Sequence, residues 1–311
     1  ADVMEKEENY KPTQTNNAPT VSIGMPVYNG ERFITEAIDS ILAQTFTDFE
    51  LIISDNASTD GTEAICNVYA ARDSRIRYFR QSKNYGALFN FKFVLNEAQG
   101  LYFKWAATDD LLGTKETLAN LVNSLGPQFQ LAIPDVTFVN ESKQTITKGV
   151  LSSIFHASKT NNIQSLALEY PSFQIYGLFV TNVLRQYFTI LEKNSDLRCF
   201  GEGIFVHVIS KELKGVFVDT AVLIYRRHTE NASSTLAPTI LLKNFIIYTY
   251  RVLDLYTGSS FSAEDKLYFL GKLSLKHTKY ILFLMAGSVV YYFRDVFRFL
   301  MGREELTSWK K

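Results

Sequence analysis

Between residues 20 and 107 the chain switches four times from a short apolar run to a stretch whose apolar residues recur at helical spacing. Val21–Val27 and residues 49–54 read as buried strands, and Phe33, Ile34, Ala37, Ile38, Ile41 and Leu42 lie between them with a helical period. A helix is expected over 62–71, with Asp60 and Glu63 spaced as a variant capping box. A strand at 76–79, a turn through Asn84-Tyr85-Gly86, a helix near 87–98 and an apolar run at 101–107 complete the series. This alternation builds βαβ units on a parallel sheet, which binds ligands at the C-terminal edge of its strands.

Each strand in the series ends in polar residues: Tyr28-Asn29, Asp55 with Ser58, Asn84, and Asp109-Asp110. Four such ends on one edge indicate a site. Neighbours in an extended chain point in opposite directions, so Asp109 and Asp110 are expected to divide the work. One carboxylate accepts from ribose hydroxyls, while the other holds Mg²⁺ or Mn²⁺ that keeps water and phosphate oxygens as its remaining ligands. The structural alternatives are a helix cap from Thr108 or Asp109 near Gly113, and an Asx turn at Asp55. The turn after the first strand reads Pro26-Val27-Tyr28-Asn29-Gly30, without the Gly-x-Gly-x-x-Gly of a dinucleotide fold, and no Gly-x-x-x-x-Gly-Lys loop occurs. Phosphates bound here need a cation and basic side chains instead.

Three successive segments carry a resemblance: 21–30, residues 53–62 (Ile53-Ser54-Asp55-Asn56-Ala57-Ser58-Thr59-Asp60-Gly61-Thr62), and Thr108-Asp109-Asp110. Together they resemble the motifs of inverting family 2 glycosyltransferases with the glycosyltransferase A fold, collinearly across about 20–115 and more weakly to about 230. The resemblance implies an α/β, Rossmann-like nucleotide-diphospho-sugar transferase fold, a mostly parallel central sheet flanked by helices. It also implies that Asp55 contacts the nucleotide base, Asp109 the ribose and Asp110 the metal, with Pro26, Tyr28 and Glu31 lining the base pocket. Residues 20–115 are then the nucleotide-sugar half, and 116–230 the acceptor half of the same domain.

Inverting transfer needs a base for the acceptor hydroxyl, and a carboxylate serves if burial raises its pKa. Glu202, set among Phe200, Gly201, Gly203 and Ile204, is the candidate, with Asp196 and Asp219 in reserve. The family often carries an acidic pair at this point, which Gly203 breaks. A strand from 215 to 224 leads into Tyr225-Arg226-Arg227-His228, whose Arg226 and His228 match a family Arg-x-His element. Arg226 is assigned to the diphosphate and His228 to the metal. Residues 140–165 have no clear period.

Lys plus Arg and Asp plus Glu both number 32, so no net field draws nucleic acid. Cys66 and Cys199 have no zinc-like spacing and fit a reducing compartment. Residues 1–19 are polar and read as a disordered tail, and Ala1 suggests a trimmed start. Residues 231–311 read as a helical extension, in which a nonpolar run at 280–293 is flanked by Lys and Arg. That pattern suits peripheral contact with an anionic membrane surface. The sequon Asn56-Ala57-Ser58 lies inside the expected base pocket, where a glycan would block it, which favours a cytoplasmic location. The expected activity is metal-dependent transfer from a UDP- or dTDP-sugar to a glycan or lipid-linked acceptor in cell-surface polysaccharide synthesis. The alternatives are a sugar-nucleotide nucleotidyltransferase and a non-catalytic sugar-nucleotide or membrane-binding module.

Overall fold

The computed structural model describes residues 18–157, 173–194 and 201–228, with Ile163 and Val252 as single positions. Nearly all of the expected tail and of the 231–311 extension, together with Asp196 and Cys199, lie outside the described residues. Among those described, no helix is long and apolar enough to cross a membrane.

The alternation is realised as β1 (Val21–Val27), α1 (Ile34–Leu42), β2 (Phe49–Asp55), α2 (Thr62–Arg72), β3 (Ile76–Arg80), α3 (Ala87–Glu97) and β4 (Tyr102–Trp105). All of β2 is buried, as continuous apolar strands covered on both faces should be. Helix α1 turns Ile34, Ala37, Ile38 and Ile41 inward, the spacing read from the sequence. The capping box at α2 does not form. Gly61, the N-cap, gives its N–H to Glu31 Oε2 at 2.5 Å. Glu63 pairs with Arg80 at 3.4 Å instead, while Asp60 accepts from the Thr62 N–H at 3.1 Å.

There follow β5 (Leu111–Leu112), α4 (Thr117–Ser124), β6 (Leu131–Val139), β7 (Thr145–Thr147), α5 (Val150–Ala157), a 3-10 turn (Phe173–Tyr176), β8 (Leu178–Val180), α6 (Thr181–Lys193), α7 (Gly201–Glu212) and β9 (Gly215–Arg226). The sheet order is β3-β2-β1-β4-β8-β6-β9-β5, with β7 on β6. Pairing is parallel through β3, β2, β1 and β4 and again between β6 and β9. Short β8 is antiparallel to both β4 and β6, so β6 and β9 run in the same direction as β1. The C-terminal ends of β3, β2, β1, β4, β6 and β9 therefore share one edge. Register keeps three of them level, since Val27 faces Asp55 and Asp55 faces Arg80.

The sheet has a core on each face. One holds Ile52, Phe103, Trp105 and Phe179 with residues of α3, α6 and α7. The other holds Val21, Ile23, Met25 and Ile53 with residues of α1, α2 and α4. Helices on both sides leave the strand-end edge as the exposed rim where loops meet.

Candidate active site

The rim begins at the ends of β1, β2 and β3. Asp55 is fully buried, with Oδ1 accepting the Ser58 N–H at 2.8 Å and Oδ2 accepting Tyr78 OH at 2.9 Å and Arg80 Nη1 at 2.6 Å. A carboxylate offers about four lone-pair sites, so one on Oδ1 remains. Burial, reinforced by the bond to Asp55, holds the Tyr78 hydroxyl well above its usual range, which keeps it a donor. Ser58 closes the turn from both sides, since its hydroxyl also accepts the Asn29 N–H at 2.8 Å. Asn29 Oδ1 in turn accepts the Thr59 N–H at 2.8 Å. Glu31 and Ser58 thus clip the β1 loop to the β2 loop, and Pro26 lies within β1 opposite Ser54. Tyr28, 49% exposed, stands above this clip with its ring in solvent.

Asn84 serves its own loop. Its Oδ1 accepts from Asn56 Nδ2 at 2.9 Å and from the Gly86 N–H at 2.8 Å. Asn56 is buried, and its other amide hydrogen goes to the Gly86 carbonyl at 3.0 Å. The sequon amide is therefore committed inside the fold.

The next rim segment follows β4. The strand ends at Trp105, and Ala106 hands its N–H to the Gly24 carbonyl at 2.9 Å, so the acids ride on a loop that leads into β5. No helix starts near Gly113; α4 begins at Thr117. The two carboxylates separate as expected. Asp109 Oδ2 lies 2.8 Å from His228 Nε2. Asp110 is buried, with Oδ1 accepting the Arg226 backbone N–H at 3.1 Å and Oδ2 without a partner. Burial first, and then the charge of Asp109, raises the Asp110 carboxyl well above its usual range.

Arg226 is placed differently from the sequence-based assignment. It is 2% exposed, its guanidinium lies 4.3 Å over the Phe33 ring, and Nη2 donates to Glu36. The backbone, not the guanidinium, reaches the acids, because a ring and a carboxylate on the α1 side hold the side chain inside. Burial pushes Glu36 upward, but hydrogen bonds from Arg226 and Lys143 outweigh it and leave the carboxyl below its ordinary range. His228 sits on Asp109 rather than on Asp110, and its buried Nδ1 has no partner.

Beyond β4, Lys104 is 1% exposed and donates its ammonium to the Tyr176 carbonyl. Burial pulls it down to about 7 against the opposing charge of Asp110. Burial also raises the Tyr176 hydroxyl, which feels the charges of Asp110, Glu202 and Asp109. Glu202, in the first turn of α7, therefore faces the same region as the acid pair. The residue is exposed at the surface of α7, while desolvation of the carboxyl by surrounding protein pushes it up to about 7. Asp219 is exposed in β9 well before Arg226, where the register against β6 shifts after Pro134, away from the rim.

Tyr78, Arg80, Glu36 and Lys104 were not singled out from the sequence, whereas Tyr176 falls in the stretch 175–179 that resembles the family's segment leading into the acceptor side. Of those four, only Arg80 had a signal, being a basic residue at a strand end beside Asp55. As for a metal, no group of three or more His, Cys, Asp or Glu is arranged around one point among the described residues. Asp110 still fits a divalent cation, which would satisfy the orphaned Oδ2 and relieve the repulsion from Asp109. Water and phosphate oxygens would complete such a shell.

Comparison with known proteins gives three results. The Glycosyl transferase family 2 profile matches residues 22–179. The chain is 41% identical over 97 residues to the putative glycosyltransferase EpsE of Bacillus subtilis, covering 31% of this chain and 35% of that protein. It is 31% identical over 120 residues to glycosyltransferase GlyG of Streptococcus pneumoniae, covering 39% and 38%. These matches span little more than a third of either relative. Among solved structures, S. aureus TarS 1-349 in complex with UDP-GlcNAc superposes with a TM-score of 0.62 at 18% identity, over 84% of this chain and 73% of that one. A mannosyltransferase from Pyrobaculum calidifontis, in complex with GDP-Man and Mn²⁺, gives 0.54 at 16% identity over 88% and 87%. At such identities the structures establish a shared fold.

Proposed function

Because this chain belongs to glycosyl transferase family 2, we propose that it is an inverting, metal-dependent glycosyltransferase. It moves a sugar from a nucleotide-diphosphate sugar, UDP- or dTDP-linked, to a glycan or lipid-linked acceptor in cell-surface polysaccharide synthesis. The observation that carries this reading is Asp110, a buried carboxylate with an orphaned oxygen beside Asp109 on the rim where six strand ends meet. Solved structures of the same fold with UDP-GlcNAc and with GDP-Man and Mn²⁺ support the donor class.

In this reading the base packs against Tyr28 and takes the remaining lone pair of Asp55. Pro26, Glu31, Ser58 and Asn84 hold the loops around it, and Asp109 accepts from the ribose. Asp110 would hold Mg²⁺ or Mn²⁺, which would supply positive charge against the departing diphosphate, and His228 would join it there on leaving Asp109. Glu202 accepts the proton of the acceptor hydroxyl as that oxygen bonds to the anomeric carbon. The bond from that carbon to the diphosphate oxygen breaks, and its electron pair leaves with the nucleoside diphosphate. Attack opposite the leaving group inverts the anomeric centre. Arg226 acts at one remove, through the N–H it presents to Asp110.

Thermal stabilisation by UDP, dTDP and GDP, with and without Mn²⁺, tests the reading, since a ligand that binds only the folded state raises apparent stability. The expected result is a shift that needs Mn²⁺, prefers one nucleotide and disappears in Asp110→Asn. Absence of any nucleotide response from the folded wild type would overturn it.

A further inference from the structure

Past the acids, at the neighbouring ends of β6 and β9, lies a pocket of about 350 Å³ lined by Asn140, Glu141, Ser142, Arg227 and His228. Its charges can be traced one by one. Glu141 is paired with Arg32 at 2.5 Å, and nearby Lys143 with Glu36 at 2.8 Å. His228 is held on Asp109, and Arg226 is turned inward onto Glu36. Arg227 alone among these cations has no carboxylate partner among the described residues. It is exposed, and its guanidinium lies 4.1 Å over the Phe138 ring, while its N–H groups have no carboxylate among the described residues. His228 lines the same pocket with a side chain that is only 9% exposed.

We propose that this pocket binds an anionic group of the acceptor, of phosphate class, and that Arg227 is the side chain that reads it. A planar guanidinium over a ring, with amide and hydroxyl side chains around it, matches the bidentate geometry of a phosphate. Position favours the acceptor over the donor diphosphate. The nucleotide end of the rim lies at β1, β2 and β3, and β6 and β9, whose ends carry the pocket, come after β4 in the order of the sheet, with Arg32 of the β1–α1 loop reaching the pocket through Glu141. This inference rests on the transferase reading for the word acceptor, but the anion site itself does not.

The test uses the full chain with saturating UDP and Mg²⁺, then adds inorganic phosphate and follows the melting temperature in wild type, Arg227→Gln and Arg227→Lys. The expected result is a further phosphate-dependent rise in wild type, weakened about tenfold or more in Arg227→Gln and only partly in Arg227→Lys, which keeps the charge but not the fork. The UDP response is unchanged in both variants. A wild type indifferent to millimolar phosphate overturns the proposal. So does competition between phosphate and UDP, or loss of the UDP response in Arg227→Gln, either of which assigns Arg227 to the donor diphosphate. Phosphate binding that needs Arg227 in a protein that ignores every nucleotide would keep the anion pocket and remove the transferase reading.

Discussion

At the scale of single residues, the site depends on carboxylates whose surroundings set them apart. Glu202 titrates near 7 because of burial, so the proposed base is about half ionised at neutral pH and about one-tenth ionised one unit lower. Transfer rate should therefore fall about tenfold per pH unit below 7 and level off above it, and Glu202→Gln should lose at least a hundredfold at every pH. An unchanged profile in the variant would move the base elsewhere. The same shift fixes a stability sign. The folded carboxyl binds its proton more tightly than the unfolded one, so this contribution is full at acid pH and is lost as pH rises toward and through 7. Glu202→Gln should gain melting temperature relative to wild type at pH 8 and not at pH 4. Asp55 lies at the opposite extreme, fully buried and held by Arg80. Arg80→Ala strands that charge. Since Arg80 itself is open to water, while Tyr78 and the Ser58 N–H still hold Asp55, a loss of stability in urea unfolding is expected that is smaller than for a fully buried pair.

At the scale of elements, what could be read in the sequence was what repeats locally. β1, β2, β3 and the helices between them announce themselves through runs and periods, and their register then aligns Val27, Asp55 and Arg80 without further signal. β5, β7 and β8 span only two or three residues, too few for a period, and the partners of β5 and β8 are distant in the chain. The unread stretch after residue 140 has the same cause. Asp135, on β6, accepts the Leu151 and Ser152 N–H groups at 2.9 and 3.1 Å and so caps α5 from another element. The capping box at α2 failed likewise, because the N-cap falls at Gly61, whose N–H goes to Glu31 of the β1 loop, while Glu63 turns to Arg80. Close packing between elements leaves its own mark at Gly24, where a Cβ would lie 2.6 Å from Phe103 Cζ and 2.7 Å from Val94 Cγ2. Gly24→Ala should force α3 away from β1 and cost about 1–3 kcal/mol. Thermal unfolding checks it, and a variant as stable as wild type would show that the helix has room to move.

At the scale of the whole molecule, the acid pair is held by groups drawn from both ends of the described chain. The family match stops at residue 179, yet Asp110 is bound by the Arg226 N–H and Asp109 by His228, both from the end of β9. That end is fixed in turn by Glu36 on α1, which receives Arg226 across a separation of 190 residues and also Lys143 from the turn after β6. Nothing in the local sequence around Glu36 marks this role, because it exists only once β9 has joined the sheet beside β6. Its consequence can be measured. Glu36→Ala leaves a guanidinium that is 2% exposed without its carboxylate, and because Glu36 itself is 36% exposed the loss is about 1–3 kcal/mol, below the range for fully buried pairs. Glu36→Gln keeps an acceptor for Arg226 but not the charge, and should lose less. If Glu36 only stabilised the fold, donor affinity measured on the folded fraction of either variant would match wild type. If it positions the acids through Arg226, affinity for UDP with Mn²⁺ should fall about tenfold in Glu36→Ala and less in Glu36→Gln, although Glu36 touches neither acid. Calorimetric titration at a temperature where both variants are folded separates the two outcomes.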